Sequence, residues 1–226
     1  MTEYYKVLQY GSSPYYKMTW PTPSEDLPGR WVQVGMQDAR NSWRRLEKCV
    51  WGLHAATRQS LLYWYITCYR RNTTDIYVLE FDKSKGFIDD LPSKSAKVVG
   101  STARLVRKLT IPTQEQWREF YLEVIRDIAS QDNPKHYSKL MDRFRAFLNG
   151  PMTKEDCDTM AKDFNKYSTT RMSWLRYSIF QMYVAFIDML TPDDREVWEG
   201  FAPCDKYYVA ISEKFATLLD NLSSNS

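Results

Sequence analysis

Histidine is nearly missing from this chain: there are two in 226 residues, His54 and His136. Hydrolases and most zinc enzymes use histidine as base or ligand, so those chemistries have few candidates here. Glycine is sparse as well, at eight residues, and none sits in a phosphate-cradling loop. The G-x-S-x-G and H-E-x-x-H patterns are also absent. The four cysteines, Cys49, Cys68, Cys157 and Cys204, are widely spread with no C-x-x-C pair, which points to reduced thiols in a cytosolic compartment. A zinc site would have to gather Cys49, His54 and Cys68 with a fourth ligand from elsewhere, and the spacing argues against it. Long apolar runs are missing too. The most apolar stretch, Tyr177 to Ile187, lies between Arg176 and Asp188, well short of the roughly 20 residues a spanning helix needs. The opening MTEYYKVLQY has no basic-then-apolar signal pattern. The expectation is a cytoplasmic chain with no membrane span, metal or cofactor.

Apolar residues make up 43% of the chain and aromatics 15%, enough for a well-buried core. The net charge of +3 hides an asymmetry. Residues 1–110 carry 17 Lys+Arg against 10 Asp+Glu, and residues 111–226 carry 14 against 18. The first half is therefore basic and suited to an anionic partner, or simply solvated in a different way from the second.

Local pattern divides the chain at the same place. Tyr4 to Tyr10, Tyr15 to Trp20 and Trp31 to Val34 read as strands, being rich in aromatic and β-branched residues. Between the last two runs, three prolines and a glycine from Pro21 to Arg30 make an ordered surface loop. A short helix is predicted over Thr57 to Tyr65. Asp75 to Phe81 is the clearest strand, with Ile76, Val78 and Glu80 on one face and Tyr77, Leu79 and Phe81 on the other. Gly86 to Ser95 reads as a loop, and Ala96 to Leu109 as one or two strands with a bulge at Gly100. From Pro112 onward the period becomes helical. Thr113 with Gln116 forms a capping box, and further helix starts follow at Asn133-Pro134, Thr153, Thr169, Thr191-Pro192 and Asp205. The predicted fold is α+β: a small strand-rich domain with one central helix over 1–110, then an all-α bundle of five to six helices over 111–226.

A set of landmarks carries a resemblance. They are YYKVL at Tyr4–Leu8, Trp20-Pro21, PGRW at Pro28–Trp31, Cys49 followed by GLH at Gly52–His54, Trp64, and KVV with ARLVRKL between Lys97 and Leu109. This spacing resembles an uncharacterised domain common in bacteria and their phages, and FLNGPMTKEDCD at Phe147–Asp158 resembles the helical part that follows it. The sequence departs from that pattern at Ala55-Ala56, where the family has a cysteine or a similar small residue. The resemblance implies a phage or prophage setting, with the host cytoplasm as the compartment, and supplies no mechanism.

Three functional readings follow. The first is an accessory protein that binds a host or viral macromolecule, most simply a protein, as an inhibitory or anti-defence module; 16 tyrosines and 8 tryptophans suit such an interface as well as a core. The second is nucleic-acid binding, with Arg40, Arg44, Arg45, Lys48, Arg58, Arg70 and Arg71 as a basic face and Trp43 and Trp51 for stacking. The third is an ADP-ribosyltransferase-like enzyme with His54, Tyr77 and Glu80 as its catalytic candidates, since such a site needs a carboxylate against developing oxocarbenium charge. The first reading is preferred because it requires no catalytic constellation.

Overall fold

The computed structural model describes residues 3–14, 18–35 apart from Asp26, 52–68, 74–89, 95–113 and 205–224, with scattered positions from 115 to 142. Seven strands are present: β1 (Tyr4–Gln9), β2 (Val32–Gln33), β3 (Leu53–Thr57), β4 (Thr74–Phe81), β5 (Phe87–Ile88), β6 (Lys97–Gly100) and β7 (Thr102–Lys108). They form one sheet in the order β2-β7-β4-β1-β3-β6-β5, with every neighbouring pair antiparallel. Both edge strands are only two residues long, which limits the unpaired backbone groups they offer to another chain. The helical elements with defined bounds are α1 (Leu61–Cys68), a 3-10 turn at Lys83–Lys85 and α2 (Asp205–Ser224). No described helix is long and apolar enough to cross a membrane.

The two-residue period of β4 sorts the core as its sequence predicts. Tyr77, Leu79 and Phe81 join Tyr4, Leu8 and Leu105 in an apolar cluster on one face of the sheet. Gly100 also belongs to this packing: a side chain there would overlap the Phe81 ring, so only glycine lets that ring lie against β6. The predicted bulge is not at Gly100. The register shift lies between Val78 and Leu79, where β4 pairs with β7.

The other face buries Tyr5, Ile76 and Val78, and α1 packs against β1, β3 and β4. In turn α2 packs on α1, with the Tyr65 and Phe215 rings 5.5 Å apart. Ile211, Phe215, Ala216 and Leu219 are all buried and fall on one stripe of the helix. A hydroxyl fixes this docking. Ser212, fully buried, accepts the Leu62 N–H at 3.1 Å and donates to the Arg58 carbonyl at 2.8 Å. Leu62 lies in the first turn of α1, where a main-chain N–H has no partner within its own helix, so α2 supplies the cap. Arg58 adds a second tie, donating to Asp220 at 2.8 Å, Thr217 at 2.7 Å and the Tyr5 hydroxyl at 3.3 Å.

These observations overturn the predicted bundle of five to six helices. The described residues form a seven-stranded antiparallel sheet with three helices, and α2, expected as the last helix of the bundle, packs on α1 beside the sheet. The physical reason is cover: the sheet face that carries Tyr5, Ile76 and Val78 must be buried, and the eight residues of α1 are too few to do so alone. The chain forms two compact units, one from residues 1–111 with 205–226 and one from residues 112–204. In the second unit the capping box is formed, with the Thr113 N–H donating to the Gln116 side chain at 2.8 Å and the Gln116 N–H to the Thr113 hydroxyl at 3.3 Å. The helices predicted from 134 to 200 lie outside the described residues, Asp142 apart.

Two smaller corrections concern the first half. The segment predicted as a helix from Thr57 divides, because Leu53–Thr57 is strand β3 and the helix starts only at Leu61. Ser60 makes the corner, its hydroxyl accepting the Thr57 N–H at 3.0 Å and donating to the Ala96 carbonyl at 2.7 Å. Phe87–Ile88, inside the predicted loop, forms edge strand β5. The predicted return strand at 15–20 shows only an isolated bridge between Ser12 and Thr19, and residues 15–17 lie outside the described residues.

Replacing Ser212 with alanine strands the buried Leu62 N–H and takes a donor from the part-buried Arg58 carbonyl, so Ser212→Ala is expected to cost about 2 kcal/mol. Ser224→Ala, on the exposed end of the same helix, is expected to cost less than about 0.5 kcal/mol. Urea denaturation followed by tryptophan fluorescence measures both; equal effects would mean that the Ser212 hydroxyl does not hold α2 in place.

Candidate functional site

The site begins with a strand that loses a neighbour. β1 pairs with β4 along six residues, from Tyr4↔Leu79 to Gln9↔Thr74. With β3 it pairs at only two positions, Tyr4↔Thr57 and Tyr5↔Ala56. Beyond these β3 keeps its other neighbour, pairing with β6 from Ala56↔Lys97 to Leu53↔Gly100. β1 instead turns at Tyr10-Gly11, both with positive φ, and the chain doubles back through reciprocal Gln9–Ser12 main-chain bonds at 2.9 Å. Trp20 comes back with it and is buried beside Leu8, Leu53 and Ala55, its indole N–H donating to the Ser13 hydroxyl at 3.0 Å.

The parting leaves the His54 carbonyl without a strand partner on that side, and the Lys6 ammonium donates to it at 2.7 Å. Its nitrogen lies 5.3 Å from the centre of the Trp20 ring. Burial pulls the Lys6 ammonium down to about 8, with Cys68 opposing the shift and the Lys97 charge adding to it. The Lys6 side chain as a whole is half-buried and lines the pocket described below. Lys97 Nζ lies 3.7 Å from the centre of the Trp64 ring, a cation–π contact that fixes it at the wall. The indole of Trp64 is held by its own N–H, which donates to the Ala96 carbonyl at 3.2 Å.

Together these residues line a pocket of about 290 Å³. Its described lining includes Lys6 and Lys97, with His54, Trp64 and Cys68, and contains no carboxylate. Two lysines, Lys6 and Lys97, thus stand on its partly apolar walls. A second and larger pocket, about 870 Å³, includes Glu3, Glu80, Asp89 and Glu213 together with Arg58 and Lys83. Its mixed charges select no ligand of one sign, and Arg58 there is already tied to Asp220.

No protein-family model, curated protein or solved structure matches the chain. The reading of the site therefore rests on its own geometry.

Of the catalytic candidates, His54 enters the site, at mid-strand in β3 and through its main-chain carbonyl. Tyr77 lies in the apolar cluster on one face of the sheet, its hydroxyl raised above the usual phenol range, first of all by burial. Glu80 is three residues further along β4 and so on the opposite face. It is held by Arg104 through two contacts of 2.7 Å, and Arg104 in turn lies over Trp31 at 4.6 Å. With β1 standing between β3 and β4, the three residues do not converge. Among the binding candidates, Arg58 is an anchor for α2. Arg40, Trp43, Arg44, Arg45, Lys48, Trp51, Arg70 and Arg71 lie outside the described residues, as does Cys49.

Lys6 and Lys97 were not among the sequence candidates. A signal for Lys6 was present: the two-residue period puts it on the same face as Tyr4 and Leu8, a lysine where an apolar residue belongs.

The buried charge has a measurable consequence. Unfolded, Lys6 holds its proton to about 10.5, and folded only to about 8. Between these values the unfolded chain binds more protons, so raising the pH stabilises the fold, and the full cost of the buried charge is present below pH 8. Tyr5, whose phenol burial raises to about 12, works in the opposite direction above pH 10. A comparison with Lys6→Met, which keeps Tyr5, cancels that effect. The stability of the wild type relative to Lys6→Met is expected to rise by about 3 kcal/mol between pH 7.5 and 10.5 and to be flat below pH 7. Urea midpoints across this range give the curve, and a flat line throughout would mean that the ammonium is solvated.

Proposed function

We propose that the protein acts by binding, and that the β1–β3 pocket holds an anionic group of its ligand, a carboxylate or a phosphate. One observation carries this reading: the Lys6 ammonium, whose hydrogen-bond partner is the neutral His54 carbonyl, lines a pocket of about 290 Å³. An entering anion gives the Lys6 ammonium the counter-charge that burial denies it, so the site is matched to charge rather than to a particular skeleton. In the phage or prophage setting implied by the sequence landmarks, a host or viral protein presents that group, and the protein is an accessory factor that modulates its partner. A free small acid offers the same chemistry. The nucleic-acid reading depends mainly on arginines outside the described residues, and the one described member, Arg58, is committed to α2.

Two arms test the proposal. In the first, malonate and inorganic phosphate are titrated into the full chain by calorimetry in buffers of different ionisation enthalpy. An anion raises the proton affinity of Lys6, so binding is expected to take up protons near pH 8.5, and affinity is expected to fall as the pH rises through 8. Lys97→Gln is expected to weaken binding about tenfold. In the second arm an acidic protein partner, recovered on the immobilised chain, is challenged with the same anions, and competition assigns the group to that partner. Anion binding with no proton exchange, or binding indifferent to Lys97→Gln, would place the anion elsewhere and sink the assignment.

A further inference from the structure

We propose that the aromatic corner formed by Tyr4 and Phe87, backed by Phe81, binds a methylated ammonium group, and that Lys83 fills this corner as a built-in competitor. The site is separate from the β1–β3 pocket: Tyr4, Phe81 and Lys83 line the larger cavity of about 870 Å³. The charges of that cavity favour neither sign, but its rings do, because the face of an aromatic ring is the negative part of its quadrupole. Ring centroids lie 5.4 Å apart for Tyr4 and Phe81, 5.5 Å for Tyr4 and Phe87, and 5.2 Å for Phe81 and Phe87. The same pairs are inclined by 71°, 55° and 61°, so the rings make a corner and not a stack. The fold itself shows what this corner attracts. Lys83 Nζ lies 4.6 Å from the centre of the Phe87 ring and 5.2 Å from that of Tyr4, and it donates to the Tyr4 hydroxyl at 3.0 Å.

Lys83 is placed to leave. It is exposed and opens the 3-10 turn Lys83–Lys85. Asp82 holds that turn, its carboxylate accepting the Ser84 N–H at 3.2 Å and the Ser84 hydroxyl at 2.6 Å. The turn therefore keeps its shape when the Lys83 side chain swings away. A primary ammonium is compact and strongly hydrated, so holding it on rings gives up water that it binds well. Methylation keeps the charge and weakens that hydration, which tips the balance from water to the ring faces. A trimethylated ammonium has no N–H for the Tyr4 hydroxyl and depends on the rings alone. Its short tether gives Lys83 an effective concentration on the order of millimolar, and the ligand binds against it. A free small cation such as choline and the trimethylated lysine of a protein both offer this chemistry.

The test is a titration of choline chloride into the full chain, followed by NMR of the N-methyl protons. The control is the uncharged isostere in which a tert-butyl group replaces the trimethylammonium. Choline is expected to bind with a dissociation constant on the order of 1 mM, its methyl protons shifted upfield by the rings, and the isostere about tenfold more weakly. Lys83→Ala is expected to tighten choline binding about tenfold. Phe87→Leu, which keeps an apolar side chain, is expected to weaken it about fivefold. Equal binding of the isostere would mean a merely apolar cavity and overturns the proposal, as does a Lys83→Ala variant that binds no choline. Choline binding indifferent to Lys83→Ala overturns the competitor role. Peptides with one trimethyllysine or one unmodified lysine form the second arm. Binding tighter than choline by the trimethylated peptide alone assigns the group to a protein, and the reverse order assigns it to a free cation. If Phe87→Leu does not fold, choline against its isostere on the wild type decides the question.

Discussion

The structure turns on the point where β1 leaves β3. A central strand bonded on both sides along its whole length would close the sheet and leave no room for a ligand. Here six pairs with β4 hold β1 in place, so its other side can open after two pairs with β3 without loss of the strand. The opening has a cost, because main-chain groups that leave a ladder need other partners. Lys6 meets that need for the His54 carbonyl. The turn at Tyr10-Gly11 and the buried Trp20 make the opening permanent, by carrying the chain back beside the gap. Pocket, buried cation and turn are therefore one arrangement.

The second support is the return of the C-terminal helix. Without α2, Tyr65 on α1 would lose its partner ring and the first turn of α1 would lose its cap. Because α1 also carries Trp64 and Cys68 into the pocket, α2 steadies the site at second hand. Its anchors, Ser212 and the Arg58–Asp220 pair, differ in kind. The ion pair is partly exposed, with side chains 38% and 28% accessible, and such pairs contribute up to about 1 kcal/mol. The buried hydroxyl matters more, because its loss would leave the buried Leu62 N–H unmatched.

What the sequence made legible was local. The period of β4 predicted its two faces, the capping box at Thr113 and Gln116 forms as the spacing requires, and the apolar stripe of α2 was readable from Ile211, Phe215 and Leu219. What it hid was long-range. A stripe at helical spacing says that a helix buries one side, not what it is buried against, so α2 was assigned to a bundle when its partner is α1. The histidine after Gly52 looked like part of a turn because glycine usually marks one, yet strand pairing with β6 carries the chain straight through it. Tyr77 and Glu80 were named together as catalytic candidates. Three residues along a strand places them on opposite faces, and the period alone was enough to separate them.

Lys6 shows why a site of this kind is hard to see and what it implies. In a string of letters it is one basic residue among 31; in the fold it is a half-buried cation whose proton affinity burial lowers. Holding it there disfavours the folded state below pH 8 by about 3 kcal/mol relative to a hydrated lysine, a large share of the 5–15 kcal/mol that stabilises a typical domain. A methionine of similar length would fill the same space without that cost, giving up the charged hydrogen bond to the His54 carbonyl, worth about 1.5–3 kcal/mol. The two costs are comparable, so the hydrogen bond alone is weak justification for a lysine. The balance tips once a negative group enters the pocket, because the ammonium then gains a counter-charge in a place where water screens little. A lysine at an apolar position of β1 departs from the local rule, and a departure of that kind is where a binding site is to be sought.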